Sequence, residues 1–351
     1  MAILDFNNKE EVRRYNEFVE KSDYGRFQQN IEWIDVKKNW GHEAVYIEEN
    51  GEIVAAMLIL IKKVLGQSIF YAQAAPVCDV YNIELVEKLM GEVDKLAKKH
   101  RAFVFQMDPD VEATKELRDK YVKKGFKVTE LGDNFDQSNL IQPIYTFEKK
   151  LNFENEEKLM KSFTSKTRYE IRYSLKKGVK FEHGNSEDLV KRFFKVHKET
   201  CIRKKIAYRE YEYYKNLMDA MGDKARIYVA SHEGDDIATG LAINSGYEVF
   251  YVYAGTSNIK RNLNASKQII YQMMVWGVET RAKKFNMGGF MHLDKKSGLY
   301  IYKSSFAGEE GLKRKIGQID KVYNPFMNFM YNEVLPIRNK IRNFLSGSGL
   351  E

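Results

Sequence analysis

Between Ala44 and Ile61 the chain reads AVYIEENGEIVAAMLILI, two apolar runs separated by a short polar gap. Asn50-Gly51 supplies the positive-φ positions of a tight hairpin, so the pattern predicts strand, turn and strand. SIFYAQAAP reads as a third strand. In IELVEKLMGEVDKLAKKH, the residues Leu85, Leu89, Val93, Leu96 and Ala97 fall on one helical face, and AFVFQMDPD then reads as a buried strand that runs out at Asp108. The predicted unit is β-β-β-α-β.

The same order returns in the second half. RIYVASHEGDDIATGLAI is a hairpin, YEVFYVYAGT a third strand, KQIIYQMMVWGVETRAKKF a helix, and NMGGFMHLD the strand that follows. Gly51 corresponds to Gly234, and LAKKH ending at His100 corresponds to RAKKF ending at Phe285. One whole domain is duplicated, as opposed to a solenoid of short repeats. The pattern predicts an α/β (α+β) fold with mixed sheets flanked by helices. The expected organisation is a first domain over 1–147, with 317–345 packing back onto it, and a second over 148–316. Residues 317–345 carry a predicted helix interrupted at Pro336, and 346–351, ending SGSGLE, read as a tag or linker.

One run resists its pattern. LYIYKSSFAG, from Leu299 to Gly308, is aromatic and β-branched and reads as a buried strand, yet it carries Lys303 at its centre.

Composition narrows the class. The 351 residues suit two domains, and 44% apolar residues can fill their cores. The net charge of +8 favours anionic partners such as nucleic acid, nucleotide-linked substrates or acidic membranes without choosing among them. Two cysteines make no disulfide framework, MAILDFNNKE has no secretory-signal pattern, and the longest apolar run, IVAAMLILI, is about half of a membrane span. A cytoplasmic protein is expected. The six histidines show no metal spacing, and no phosphate-binding glycine loop is present, so neither metal nor cofactor is expected.

What remains is a scatter of cations and tyrosines. Arg209 and Tyr213 in YREYEYY stand four apart, on one helical face, while Tyr211, Tyr214, Leu217, Met218 and Met221 form the core stripe opposite. The pair reads equally as a phosphate clasp or as a solvated helix start. Lys37, among Trp33, Val36 and Trp40, is either a snorkelling surface lysine or a ligand. Asp108 ends a strand where active-site groups often lie, and Asp-Pro is also a common turn starter. KSFTSKTRYEIRYSLKKGVK sets Lys161, Lys166, Arg168, Arg172, Lys176 and Lys177 around a stripe of Phe163, Ile171 and Leu175. That is a solvated face or a cationic ridge for RNA phosphates. In the C-terminal segment Phe326, Phe329, Met330, Leu335, Ile337, Ile341 and Phe344, interleaved with Arg338, Lys340 and Arg342, read as core packing or as a peripheral contact with an anionic membrane.

Taken together, YGRFQQNIEWIDVKKNW, FQMDPDV, SKTRYEIRYSLKKGV, IAYREYEYY, FYVYAGT, LYIYKSSFAGEE and IGQIDKVYNP resemble the Fem family (FemABX) of tRNA-dependent aminoacyltransferases, most closely the FemX type. The resemblance covers nearly the whole chain. It implies two tandem GNAT-like domains without an acetyl-CoA loop, and no coiled-coil arm. The implied reaction moves glycine, alanine or serine from aminoacyl-tRNA to the stem-peptide amine of UDP-MurNAc-pentapeptide or lipid II, building interpeptide bridges. Lys37 and Arg209 would hold the precursor's diphosphate, with Tyr213 and Tyr253 assisting. Lys303, preceded by Tyr302, would stabilise the oxyanion, and Asp108 would lie near the acceptor peptide and orient or accept the amine's proton. Lys166, Arg168, Arg172 and Lys176 would face the tRNA. The bland alternative for Lys303 is a strand-end lysine paired with a carboxylate. A GNAT-like acyl-CoA transferase and a non-catalytic RNA- or membrane-binding protein are the competing classes, and a monomer is expected.

Overall fold

The computed structural model describes residues 2–129, 140–290 and 292–334. In the first half the described elements are β1 (Ala2–Ile3), α1 (Lys9–Lys21), α2 (Trp33–Val36), β2 (Gly41–Glu49), β3 (Glu52–Val64) and β4 (Gln67–Ala72). They continue through α3 (Ile83–Lys99), β5 (Ala102–Met107), α4 (Lys115–Lys123) and β6 (Lys127–Val128). The second half opens with β7 (Tyr145–Lys150), α5 (Glu156–Lys161), α6 (Ser165–Lys176), β8 (Lys180–Gly184), α7 (Glu187–Lys204) and α8 (Tyr211–Met221). It repeats the unit in β9 (Ala225–His232), β10 (Asp235–Asn244), β11 (Glu248–Thr256), α9 (Ala265–Glu279) and β12 (Lys284–Phe290). Then come α10 (Gly298–Ala307), β13 (Leu312–Arg314), β14 (Ile319–Val322) and α11 (Pro325–Phe329).

These form two seven-stranded mixed sheets, ordered β1-β2-β3-β4-β5-β14-β6 and β13-β7-β12-β11-β10-β9-β8. Each carries the predicted unit: three antiparallel strands, a helix, then a parallel strand, with β4 beside β5 and β11 beside β12. The β2–β3 turn takes Asn50 at φ 52° and Gly51 at φ 84°, and pairs Glu49 with Glu52. Both central residues thus lie in the left-handed region that a two-residue hairpin demands. β14 returns to the first sheet between β5 and β6, and Met327 of α11 packs against Ile69, Phe103 and Val104. β7 already pairs with β12 and β13 of the second sheet. Pro336, the rest of the C-terminal stripe, and 346–351 lie outside the described residues.

The two halves share a core. One apolar cluster joins Tyr15, Val19, Phe27 and Trp33 of the first half to Phe193, Tyr214, Leu217 and Met218 of the second. Burying side chains of this size is worth about 1.5–3 kcal/mol each, so the halves are held together as one body. Beside that core lies a buried cluster of three cations and three carboxylates. Asp110 meets Arg26 at 2.5 Å, Lys315 at 2.6 Å and Lys284 at 3.1 Å. Glu148 and Glu248 complete the charge balance through Lys315 and Lys284.

Three expectations need correction. The LYIYKSSFAG run is helical: Ser297 caps α10 by accepting from the Tyr300 N–H at 3.2 Å, and Gly308 at φ 74° ends it. The buried residues Tyr300, Lys303, Phe306 and Ala307 follow a helical period, while Leu299 and Ile301, whose bulk imitated a strand, are exposed. Arg209 precedes α8, whose N-cap is Glu210, and so shares no helical face with Tyr213. Leu175 is 52% exposed; the inward stripe of α6 uses Thr167, Ile171 and Ser174.

Candidate active site

β11 pairs with β12 only from Glu248 to Phe250, opposite Lys284 to Asn286. Beyond that point the strands separate, because the rest of β12 pairs only with β7 on its other side. A cleft of about 900 Å³ opens there. Lys37, Arg209, Tyr213, Tyr253, Tyr302 and Lys303 all line it. A bulge in β11 decides which side each tyrosine serves. Leu241 pairs with Tyr253 and Ala242 with Tyr251, leaving Val252 as the extra residue. Tyr253 then packs with the α7 and α8 side of the sheet, while Tyr251 and Tyr302 pack with the α9 and α10 side. The cleft therefore reaches both faces of the second sheet.

One end is cationic. Lys37 Nζ lies 4.8 Å from the Trp33 ring centre and 5.7 Å from that of Tyr213, and Arg209 Cζ lies 5.7 Å from the same Tyr213 ring. Among the described residues neither cation has an ion-pair partner. Burial and the charge of Arg209 lower the Lys37 pKa, so an anion bound between them would relieve an existing repulsion. The Tyr253 hydroxyl donates to that of Tyr213 at 3.4 Å. Behind them His197 contacts the Ala254 carbonyl through Nδ1 at 2.8 Å, and its Nε2 stands 3.6 Å from Cys201 Sγ. Burial lowers the histidine pKa and raises that of the cysteine, so this pair stays neutral and is no activated nucleophile.

The other end holds Lys303, 6% exposed. Its Nζ donates to the carbonyls of Gly288 at 2.6 Å and Gly289 at 3.4 Å, and lies 5.5 Å from the Phe290 ring centre. Burial brings its pKa down to about 8. Among the described residues no carboxylate pairs with it, so the bland expectation of a lysine neutralised by an acid is not what the fold provides. Gly288 is at φ 74°, and a Cβ there would meet the Tyr251 carbonyl at 3.1 Å, so this strand gap depends on glycine.

Asp108 is not among the residues lining the cleft. It lines a neighbouring cavity of about 100 Å³ that shares Gln28, Gln73, Gln142, Pro143, Phe250 and Gly289 with the cleft. Its carboxylate accepts from the Tyr71 hydroxyl at 2.6 Å and the Ala74 N–H at 2.5 Å. Burial pushes the carboxyl up to about 7 against the pull of those two bonds.

Of the cations expected to face RNA, Lys166, Arg172 and Lys176 are exposed. Arg168 differs: its guanidinium donates to the Phe163 carbonyl at 2.5 Å and Ser165 Oγ at 3.0 Å, closing the start of α6. α6 packs on the helix that carries Lys303, through Thr167 Oγ1 donating to the Ser305 carbonyl at 3.0 Å. Lys267 of α9 ties the same corner, pairing with Glu170 at 2.7 Å and donating to Ser305 Oγ at 3.0 Å. Sequence reasoning missed Lys204 and Arg261, two further cations lining the cleft. The only signal for Lys204 was the basic run Arg203-Lys204-Lys205 at the end of a helix.

Comparison with known proteins accounts for this arrangement. The FemAB family model matches residues 11–236 and 231–334. The UDP-N-acetylmuramoylpentapeptide-lysine N(6)-alanyltransferase of Weissella viridescens is 32% identical over 333 residues, covering 93% of this chain and 97% of that protein. The crystal structure of FemX superposes with a TM-score of 0.85 at 21% identity, covering 95% of this chain and all of that one. A tandem GNAT protein from the clavulanic acid pathway superposes at 0.54 with 9% identity, over 92% and 98% of the two chains, so the GNAT-like character of the fold stands. The family-model match along nearly the whole length, the Weissella relative at 32% identity and the superposition of the two-sheet fold on FemX agree: the chain belongs to the FemAB family.

Proposed function

We propose that this protein transfers a small amino acid, glycine, alanine or serine, from aminoacyl-tRNA to the stem-peptide amine of a peptidoglycan precursor, UDP-MurNAc-pentapeptide or lipid II. The observation that carries this reading is Lys303, buried at the gap between β11 and β12 with its Nζ on backbone carbonyls, in the same cleft as Lys37 and Arg209, three cations without an ion-pair partner among the described residues. The named activity of the Weissella relative supports it.

Each group then has a role. Lys37 and Arg209 hold the precursor's diphosphate, with the hydroxyls of Tyr213 and Tyr253 beside them. The amine attacks the ester carbonyl of the aminoacyl group, the C–O bond to the terminal ribose breaks, and an amide forms. Lys303, with two donors spent on carbonyls, has a third for the developing oxyanion, and Tyr302 packs the adjacent wall. In a partly dry site that donor is worth far more than in water. Asp108 takes or orients the amine's proton. Lys166, Arg172 and Lys176 face the tRNA, while Arg168 serves α6 itself. Residues 1–147 with the returning β14 form the precursor-binding domain, to which 148–316 adds Arg209, Tyr213 and Tyr253, and 148–316 is the acceptor and tRNA side. One chain contains the complete cleft, so a monomer suffices. Among the described residues no helix is long and apolar enough to cross a membrane, and the enzyme works in the cytoplasm, meeting lipid II at the inner membrane face if that is its acceptor.

The test is transfer of radiolabelled amino acid from charged tRNA to UDP-linked and lipid-linked muropeptides. Wild type is expected to transfer, and Lys303→Ala to lose on the order of 100-fold or more while remaining folded. Turnover with acyl-CoA thioesters and none with charged tRNA would overturn the reading.

A further inference from the structure

The outward face of α6 carries more than charge. With Thr167, Ile171 and Ser174 buried, the helical period turns Lys166, Tyr169, Arg172 and Lys176 to the outside, while the half-buried Tyr173 packs one side of its ring against the core and meets Tyr169 at its rim. Tyr169 is 64% exposed, and its ring centre lies 5.7 Å from that of Tyr173. Lys177 Nζ sits 5.6 Å from the Tyr173 ring centre. The one carboxylate of the helix, Glu170, is spent on Lys267. Among the described residues Lys166, Arg172, Lys176 and Lys177 have no ion-pair partner.

A merely solvated face has no use for the exposed ring of Tyr169 set against that of Tyr173, and a duplex offers phosphates and groove edges but no open base faces. Rings interleaved with unpaired cations match single-stranded nucleic acid, where bases stack on the rings and phosphates meet the cations. The helix is about 18 Å long and leans on α10 at Ser305, two residues after Lys303. Unpaired nucleotides leading to an ester held at Lys303 therefore have this face beside their path. We propose that Tyr169 and Tyr173 stack unpaired bases near the 3′ end of the tRNA donor, while Lys166, Arg172 and Lys176 hold the adjoining phosphates. This rests on aminoacyl-tRNA being the donor.

Fluorescence anisotropy with two probes separates the possibilities: an acceptor-stem RNA hairpin ending in an unpaired CCA, and the same hairpin ending blunt. Replacing both tyrosines by alanine should weaken binding of the overhang hairpin about tenfold or more while leaving the blunt hairpin unchanged, and Tyr169→Ala alone, at an exposed position, should weaken the overhang hairpin selectively with the thermal midpoint unchanged. The double phenylalanine variant should bind as wild type does, because stacking needs the ring and not the hydroxyl. Lys166→Ala with Arg172→Ala should weaken both probes and reduce the salt slope by about one to two. The stacking assignment is overturned if the alanine pair binds the overhang hairpin like wild type, or loses both probes equally. If wild type binds neither hairpin, the tRNA reading itself fails and this proposal falls with it.

Discussion

Lys303 keeps a charge where the surroundings tax it. Its pKa of about 8 leaves it mostly protonated at neutral pH, as the proposed oxyanion role requires, and it deprotonates as pH rises through that value. Asp108, at about 7, must ionise to accept a proton. The rate of transfer should therefore rise through about pH 7 and fall through about pH 8. Asp108→Asn should abolish the rising limb, and Lys303→Arg should displace the falling one upward; pH profiles of kcat check both. The same lysine has a stability signature. Its folded pKa lies below its unfolded value, so the unfolded chain binds more protons between about 8 and 10.4, and stability rises with pH across that window as the cost of the buried charge is relieved. Lys303→Met should accordingly gain about 2–3 kcal/mol at neutral pH while losing transfer, as chemical denaturation would register.

The position of that lysine is a property of three helices. α10 meets α6 through Thr167 and α9 through Lys267, and both contacts converge on Ser305. Lys267 also lies 5.5 Å from the Tyr302 ring centre. Replacing Lys267 by methionine leaves Glu170 half-buried without its partner and frees α10 to shift by a fraction of an ångström. We expect kcat to fall about tenfold or more, with the KM for the precursor unchanged, since Lys37 and Arg209 stand on other elements. A precursor KM that rises in step would assign Lys267 to binding instead. It was at α10 that the chain's own pattern misled. Leu299, Ile301 and the aromatics have strand propensity, and only the burial of every third or fourth residue against β7 and α9, a tertiary fact, selects the helix.

At the scale of the molecule, the halves are joined by a shared apolar core and by the buried ion cluster around Asp110. The charges of Lys284, Lys315 and Arg26 hold the Asp110 pKa well below its usual range. Its contribution is thus present above about pH 4 and is lost as pH falls through the depressed folded value. Asp110→Asn would leave three cations facing two carboxylates, and should cost about 3–5 kcal/mol in urea or thermal unfolding.

What the sequence determined by itself was the repeated order and those local features whose chemistry admits one conformation. Asn50-Gly51 specified a hairpin because few residue pairs tolerate two positive φ angles. The spacing of Leu89, Val93 and Leu96 specified a buried helix face, the duplicated order specified two like sheets, and the co-linear motifs pointed to the family. What only the tertiary structure decided was proximity and burial. Lys37 and Arg209 come from different halves and become neighbours only because the shared core brings α2 against α8. Lys303 has no ion-pair partner among the described residues because the parting of β11 and β12 leaves its Nζ on backbone carbonyls, and Asp108 lines a small neighbouring cavity. A charge's partner and its exposure depend on contacts between residues far apart in the chain, and no local pattern of side chains records them.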